Sequence, residues 1–180
     1  MPEEIQELHE HAEEGAHQRS LAPVTVTMAI LAVLVAAVSL LGHRAHTEEL
    51  LHQTEATDQW AYYQAKDIRR HTYELFVDET SVFAVQDSEQ VAKLKEKYAK
   101  EAERYREDQK EIEAEAKKDQ DDVKLEGRRA DRFDLGEVLL EAGLVICSIT
   151  LLTRKRVFWG FGSVLGILGV AIGAAGFFVR

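Results

Sequence analysis

Apolar and polar positions segregate along this chain into three greasy runs set between charged stretches. Two lie in the C-terminal third: residues 135–152, then Arg154-Lys155-Arg156, then residues 157–179. The third occupies 24–41 and carries no charge over its 18 residues. A helix rising 1.5 Å per residue needs about 20 apolar residues to cross a bilayer, so each run predicts a membrane helix, the last two folded back on each other. In the last run glycine recurs at 162, 166, 169, 173 and 176. Steps of 4 and 3 lay these five glycines, Gly162, Gly166, Gly169, Gly173 and Gly176, along one helix face as a seam of bare backbone. Ala29, Ala32, Ala36 and Ser39 form a milder small-residue seam in the first run. Two such seams predict close packing of the first apolar helix on the glycine helix, within one subunit or between neighbours. Pro23 stands near the start of the first run, where a missing backbone N–H costs least.

Between Gly42 and Gly127 there is neither glycine nor proline, so nothing forces a helix to stop. Ala61, Ala65, Ile68, Thr72 and Leu75 step by 4 and 3 and predict a packing row, with Trp60, Tyr62 and Tyr63 beside it. An interfacial belt explains Trp60 less well, since it lies about 27 Å along the helix beyond the apolar run. Residues 81–88 break the rhythm and predict a bend, with Asp87 and Ser88 placed to cap the next helix. From 89 to 134 a second row recurs: Val91, Leu94, Tyr98, Ala102, Tyr105, Gln109, Ile112, Ala116, Asp119 and Val123. That is a coiled-coil rhythm whose leucines are mostly replaced. The expected fold is an all-α membrane protein with three transmembrane helices and a long antiparallel helical hairpin, a coiled-coil-like stalk, between the first and second. Its segments are an acidic tail over 1–22, membrane helices over 23–42, 135–153 and 157–180, the hairpin over 43–134 and a basic turn at 154–156.

Composition refines this. Hydrophobic content is 46% and the net charge is −10, so the bulk figures resemble those of a soluble protein only because greasy and charged segments average out. The acidic excess argues against a nucleic-acid partner. Cys147 is the one cysteine, which excludes an intrachain disulfide. Met1 opens onto Pro-Glu-Glu, so no cleaved signal peptide is expected. His9 with Glu13 and Glu7 with His11 are pairs at i,i+4 in the tail, but a solvated charged tail explains them as well as a weak metal site does, and no metal ligand is assigned.

Glu137 and Glu141 are the sharpest chemical candidates. They share a face of the second membrane helix, where a carboxylate is expensive unless neutral, paired or near water. They read as an intramembrane ion or proton site with Arg132 or Arg44 as neighbour, as headgroup-level carboxylates if the helix starts near Val138, or as a structural hydrogen bond between helices. There is no nucleophile elbow, no H-E-x-x-H and no phosphate loop, so no catalytic residue, cofactor or enzymatic activity is expected. His71 beside Arg69 and Arg70 suits an anion or simply a charged face. For sidedness, the short basic turn favours the cytoplasm, while Arg44, Lys124, Arg128, Arg129 and Arg132 weigh the other way. The balance favours a central part on the periplasmic or extracellular side.

The stretch Asp58-Gln59-Trp60-Ala61-Tyr62-Tyr63-Gln64-Ala65-Lys66, followed by Ile68-Arg69, resembles the hallmark of DUF4337, a family of uncharacterised bacterial membrane proteins. The resemblance covers nearly the whole chain and implies a bacterial inner-membrane location; it brings no activity or cofactor. Trp60, Tyr63 and Lys66 follow one another at 3-residue steps and read as a packing or recognition patch. The expected partners are the lipid bilayer, further copies of the chain and an unidentified protein. The function expected is an oligomeric membrane-anchored scaffold, with a small oligomeric ion channel or a transporter's accessory subunit as the alternative.

Overall fold

The computed structural model describes residues 2–82 and 89–180, and for residues 2–20 the backbone alone. The described chain is all-helical: α1 Pro2–Val82, α2 Glu89–Thr153, α3 Arg156–Ala175, and a 3-10 turn at Gly176–Phe178. All three α-helices contain a segment long and apolar enough to cross a membrane. The expected break at 81–88 is only partly described: Ser81 and Val82 are still helical, and 83–88, including the Asp87-Ser88 cap, lie outside the described residues. Helix α1 does not begin at Pro23 as expected; the proline sits inside it, where it removes one backbone donor. The side chains of His9, His11 and His17 are outside those described.

The chain divides into two compact units: Met1–His46 with Glu126–Arg180, and Thr47–Leu125. In the first unit Leu31, Val38 and Ala45 of α1 are buried together with Ala130, Phe133, Leu140 and Cys147 of α2. Helix α2 ends because Arg154 adopts φ 60, a left-handed conformation that costs a non-glycine residue about 1–2 kcal/mol. Its N–H still reaches Thr150 O at 2.8 Å, closing the last turn. Lys155 is extended and Arg156 already opens α3, so the basic turn is one residue shorter than expected.

The glycine row from Gly162 to Gly176 is filled from within the chain, on two sides in alternation. A Cβ on Gly162 would lie 2.6 Å from Gly143 O of α2, and one on Gly169 would lie 2.8 Å from Gly136 O. A Cβ on Gly166 would meet Leu31 of α1 at 2.5 Å, and one on Gly173 would meet Val38 at 3.5 Å. Gly176 faces the Phe133 ring. The first apolar helix does pack on the glycine helix, but not through Ala29, Ala32 and Ala36, which are exposed. Large side chains of α1 enter hollows left by glycine, which gains more contact than small residues meeting small ones.

In the second unit the middle of the row foreseen on α2 is buried, while Leu94 near its start is 41% exposed. Ala102, Tyr105, Gln109, Ile112 and Ala116 are all at most 7% exposed. The row foreseen on α1 is reversed. Ala61, Ala65 and Thr72 are exposed, Ile68 is 67% exposed and Leu75 58%. Ala56 is buried, and Tyr63, Lys66, Arg70, Tyr73 and Val77 are half-buried in its place. These five keep the same alternation of 3 and 4, so spacing alone fits either face. The long side chains of Lys66, Arg70 and Tyr73 reach partners on α2: Asp108, Gln109, and Tyr98 with Tyr105.

Candidate functional site

Chemistry in the second unit is concentrated where α1 residues 60–77 meet α2 residues 98–109. Arg70 is the centre. Its Nη2 donates to Asp67 Oδ1 at 2.7 Å and its Nη1 to Glu74 Oε1 at 3.0 Å, both one turn away on α1. Its Nε donates to Gln109 Oε1 on α2 at 2.9 Å, and Gln109 Nε2 donates back to Asp67 Oδ1 at 2.8 Å. The three residues close a ring of hydrogen bonds across the two helices. Gln109 is 5% exposed, so this ring is what satisfies a buried amide. Arg106 of α2 adds a second cation on Glu74, at 2.9 Å.

Lys66 supplies a separate link. Its Nζ donates to Asp108 Oδ2 at 2.8 Å and lies 4.8 Å from the Tyr105 ring centroid and 5.2 Å from that of Tyr62. The aromatic layer continues with Tyr73 stacked on Tyr98 at 5.1 Å and Phe76 edge-on to Tyr98 at 4.8 Å.

The electrostatics follow from these partners. The Gln109 amide, then Arg70, holds the Asp67 carboxyl below its ordinary range. Burial works against Glu74 ionising, but Arg70 and Arg106 outweigh it and its carboxyl also falls below the ordinary range. The Asp108 carboxylate raises Lys66 against the opposing effect of burial. Arg69 lowers the Tyr105 phenol. The shifts of Lys66, Asp67 and Glu74 favour their charged forms, so these three and their partners are matched ions.

The patch read from the hallmark stretch lies on this side of α1. Trp60 and Tyr63 meet edge-to-face at 5.6 Å and are half-buried, and the Lys66 side chain is 15% exposed. The Trp60 indole N–H is buried with no acceptor among the described residues. The glycine row Gly162, Gly166, Gly169, Gly173 and Gly176 is buried in the first unit as described above. Glu137 is half-buried and Glu141 exposed, and neither bonds Arg44, Arg132 or any other described side chain. The structure does not bring an arginine to them.

Two features escaped the sequence reading. Gly136 and Gly143 on α2 oppose the α3 glycines backbone to backbone; their 7-residue separation was the available signal. His52, Glu55 and Asp119 bring their ligand atoms within 4.8 Å of one another. That donor set suits a borderline divalent cation, but His52 Nδ1 already pairs with Glu55 Oε2 at 3.2 Å. Asp119 was visible as an odd carboxylate in the α2 row; its α1 partners were not, because the inward face of α1 was misassigned. In the first unit Trp159 Nε1 donates to Thr27 Oγ1 at 3.1 Å, tying α3 to α1.

A family model described as a domain of unknown function, DUF4337, matches residues 20–179. No curated protein and no solved structure matches the chain.

Proposed function

The chain belongs to the DUF4337 family, and from that premise we propose that it is an oligomeric membrane-anchored scaffold, with three membrane helices carrying a two-helix stalk. The observation that carries this reading is the matching of charges in the second unit: Arg70, Arg106 and Lys66 are bonded to Glu74, Asp67 and Asp108, which stiffens a helix pair. An antiparallel course for the stalk is supported by its partners. Residues 66, 70, 73 and 76 of α1 meet 108, 109, 105 and 98 of α2. A bilayer location is supported by three sufficiently apolar helices and by glycine contacts of the kind that hold helices together in lipid. The reading extends to a bacterial inner membrane with the stalk outside the cytoplasm, which reporter fusions at 83–88 and at Lys155 test directly.

The decisive measurement is native mass spectrometry of the particle in a membrane mimic, with an oligomer expected. A monomer would make the chain an adaptor for another protein. One observation favours the alternative of a small ion channel or a transporter's accessory subunit: Glu137 and Glu141 are unpaired among the described side chains of an otherwise apolar segment. An oligomer would repeat them around an axis. Conductance in liposomes that is lost in Glu141→Gln would put the channel first.

A further inference from the structure

One polar cluster in the second unit is not matched. His52 belongs to the inward row of α1, four residues before Ala56, and Asp119 to that of α2, three residues after Ala116. The two alanines are 3% and 0% exposed, so His52 and Asp119, both half-buried, sit at interior positions of the helix pair. Glu55 completes the group, and the ligand atoms of the three lie within 4.8 Å of one another. Elsewhere in this unit Lys66 and Arg70 meet opposite charges. Glu55 and Asp119 bond no lysine or arginine among the described residues.

We propose that His52, Glu55 and Asp119 hold one divalent first-row metal ion of the zinc type, which clasps α1 to α2. Charge is the first argument. Two carboxylates this close repel each other, and one imidazole offsets at most one of their charges. A dication with two carboxylates and a neutral imidazole leaves the set balanced. The net charge of −10 also draws cations toward the chain.

The donors select the ion. One imidazole nitrogen with two carboxylate oxygens suits zinc and its neighbours, whereas calcium and magnesium are bound by oxygen. The rival set shows why this one stands out. His71 also lies 3.5 Å from Asp67 and 3.3 Å from Glu74, but Arg70 already holds both of those carboxylates.

The geometry needs little adjustment. Ligands about 2.1 Å from a tetrahedral ion stand about 3.4 Å apart. His52 Nδ1 and Glu55 Oε2 are already 3.2 Å apart, so the ion takes the place of the proton they share. The widest separation the three allow, 4.8 Å, has about 1.4 Å to close. The Glu55 side chain is 62% exposed, which lets it swing inward and gives the ion a way in. Three protein ligands leave the fourth position to water. Between residues 50–65 of α1 and 110–125 of α2 no side-chain hydrogen bond or ion pair crosses the helix pair among the described residues. The ion supplies a polar link there. All three ligands belong to one chain, so the site does not depend on the oligomeric reading.

The test uses the full chain in detergent, stripped of metal with a chelator and titrated with Zn²⁺ against a competing chromophoric chelator. One Zn²⁺ per chain is expected. His52→Ala and Asp119→Asn should each weaken binding about tenfold or more with the helical circular dichroism unchanged, and His71→Ala should leave it as it was. Zn²⁺ should raise the thermal midpoint of the wild type and not that of Asp119→Asn. Zinc-edge X-ray absorption of the wild type, which needs no variant, should show one imidazole among oxygen ligands. Absence of binding, binding indifferent to both substitutions, or a shell with two or more imidazoles overturns the site.

Discussion

The two units solve the problem of holding long helices together in opposite ways. In the first, what is buried is small or apolar: glycines 136, 143, 162 and 169 bring backbone against backbone, and Leu31 and Val38 enter the gaps left by others. In the second, large and polar side chains share the interior with alanine: Tyr105 and Gln109 are buried and Lys66 and Arg70 half-buried beside Ala102, Ile112 and Ala116. The proposed bilayer location of the first unit accounts for the contrast. In lipid, apolar side chains gain nothing by leaving the surroundings, so helices associate through close contact. In water, a helix pair with alanine at its centre gains little apolar burial, and stacked rings and matched ions contribute the rest.

The largest effect should come from the backbone contacts. Gly169→Leu or Gly143→Leu should cost about 3 kcal/mol or more, because the obstructing atoms are backbone and cannot swing away. Gly160→Leu, with open space around it, should be close to neutral in the same thermal unfolding series in detergent. If all three behave alike, the first unit is not held by close approach.

Next comes the polar ring. Arg70→Ala strips Asp67, Glu74 and Gln109 of a partner at once and should cost about 2–3 kcal/mol. Gln109→Leu leaves the Arg70–Asp67 pair intact and should cost about 1–2 kcal/mol. A double mutant that simply adds these costs would deny the ring its coupling.

The smallest effect is a pH dependence confined to the second unit. Asp67 and Glu74 have folded values below their ordinary 3.8 and 4.5. Their stabilisation is therefore fully present above those values and is lost as pH falls through the lower folded ones. Thermal melts from pH 7 down to about 3 should show a drop in stability that Arg70→Ala largely removes.

Much of the fold was legible because spacing is a one-dimensional signal. The α2 row from Tyr98 to Val123 was readable because Ala102, Tyr105, Ile112 and Ala116 are the least charged positions in that stretch. The α1 row was misread for the same reason: Ala61, Ile68 and Leu75 are its least polar positions and yet face out. The alanine seam of the first apolar run failed likewise, since small residues look like a contact surface until a glycine helix with hollows is available to receive leucine and valine.

Amino-acid order alone dictates that the described chain is helical, where its three apolar segments fall and which residues of α2 over 102–116 and of the α3 glycine row turn inward. Period and composition are properties of a single helix. Packing in three dimensions selected the face of α1 that meets α2, closed the ring of Gln109 with Asp67 and Arg70, and set Gly136 and Gly143 opposite the glycines of α3. Those are choices between partners far apart in the chain. They are settled by the fit of side-chain volume and hydrogen-bond donors across a gap, which no pattern within one helix encodes.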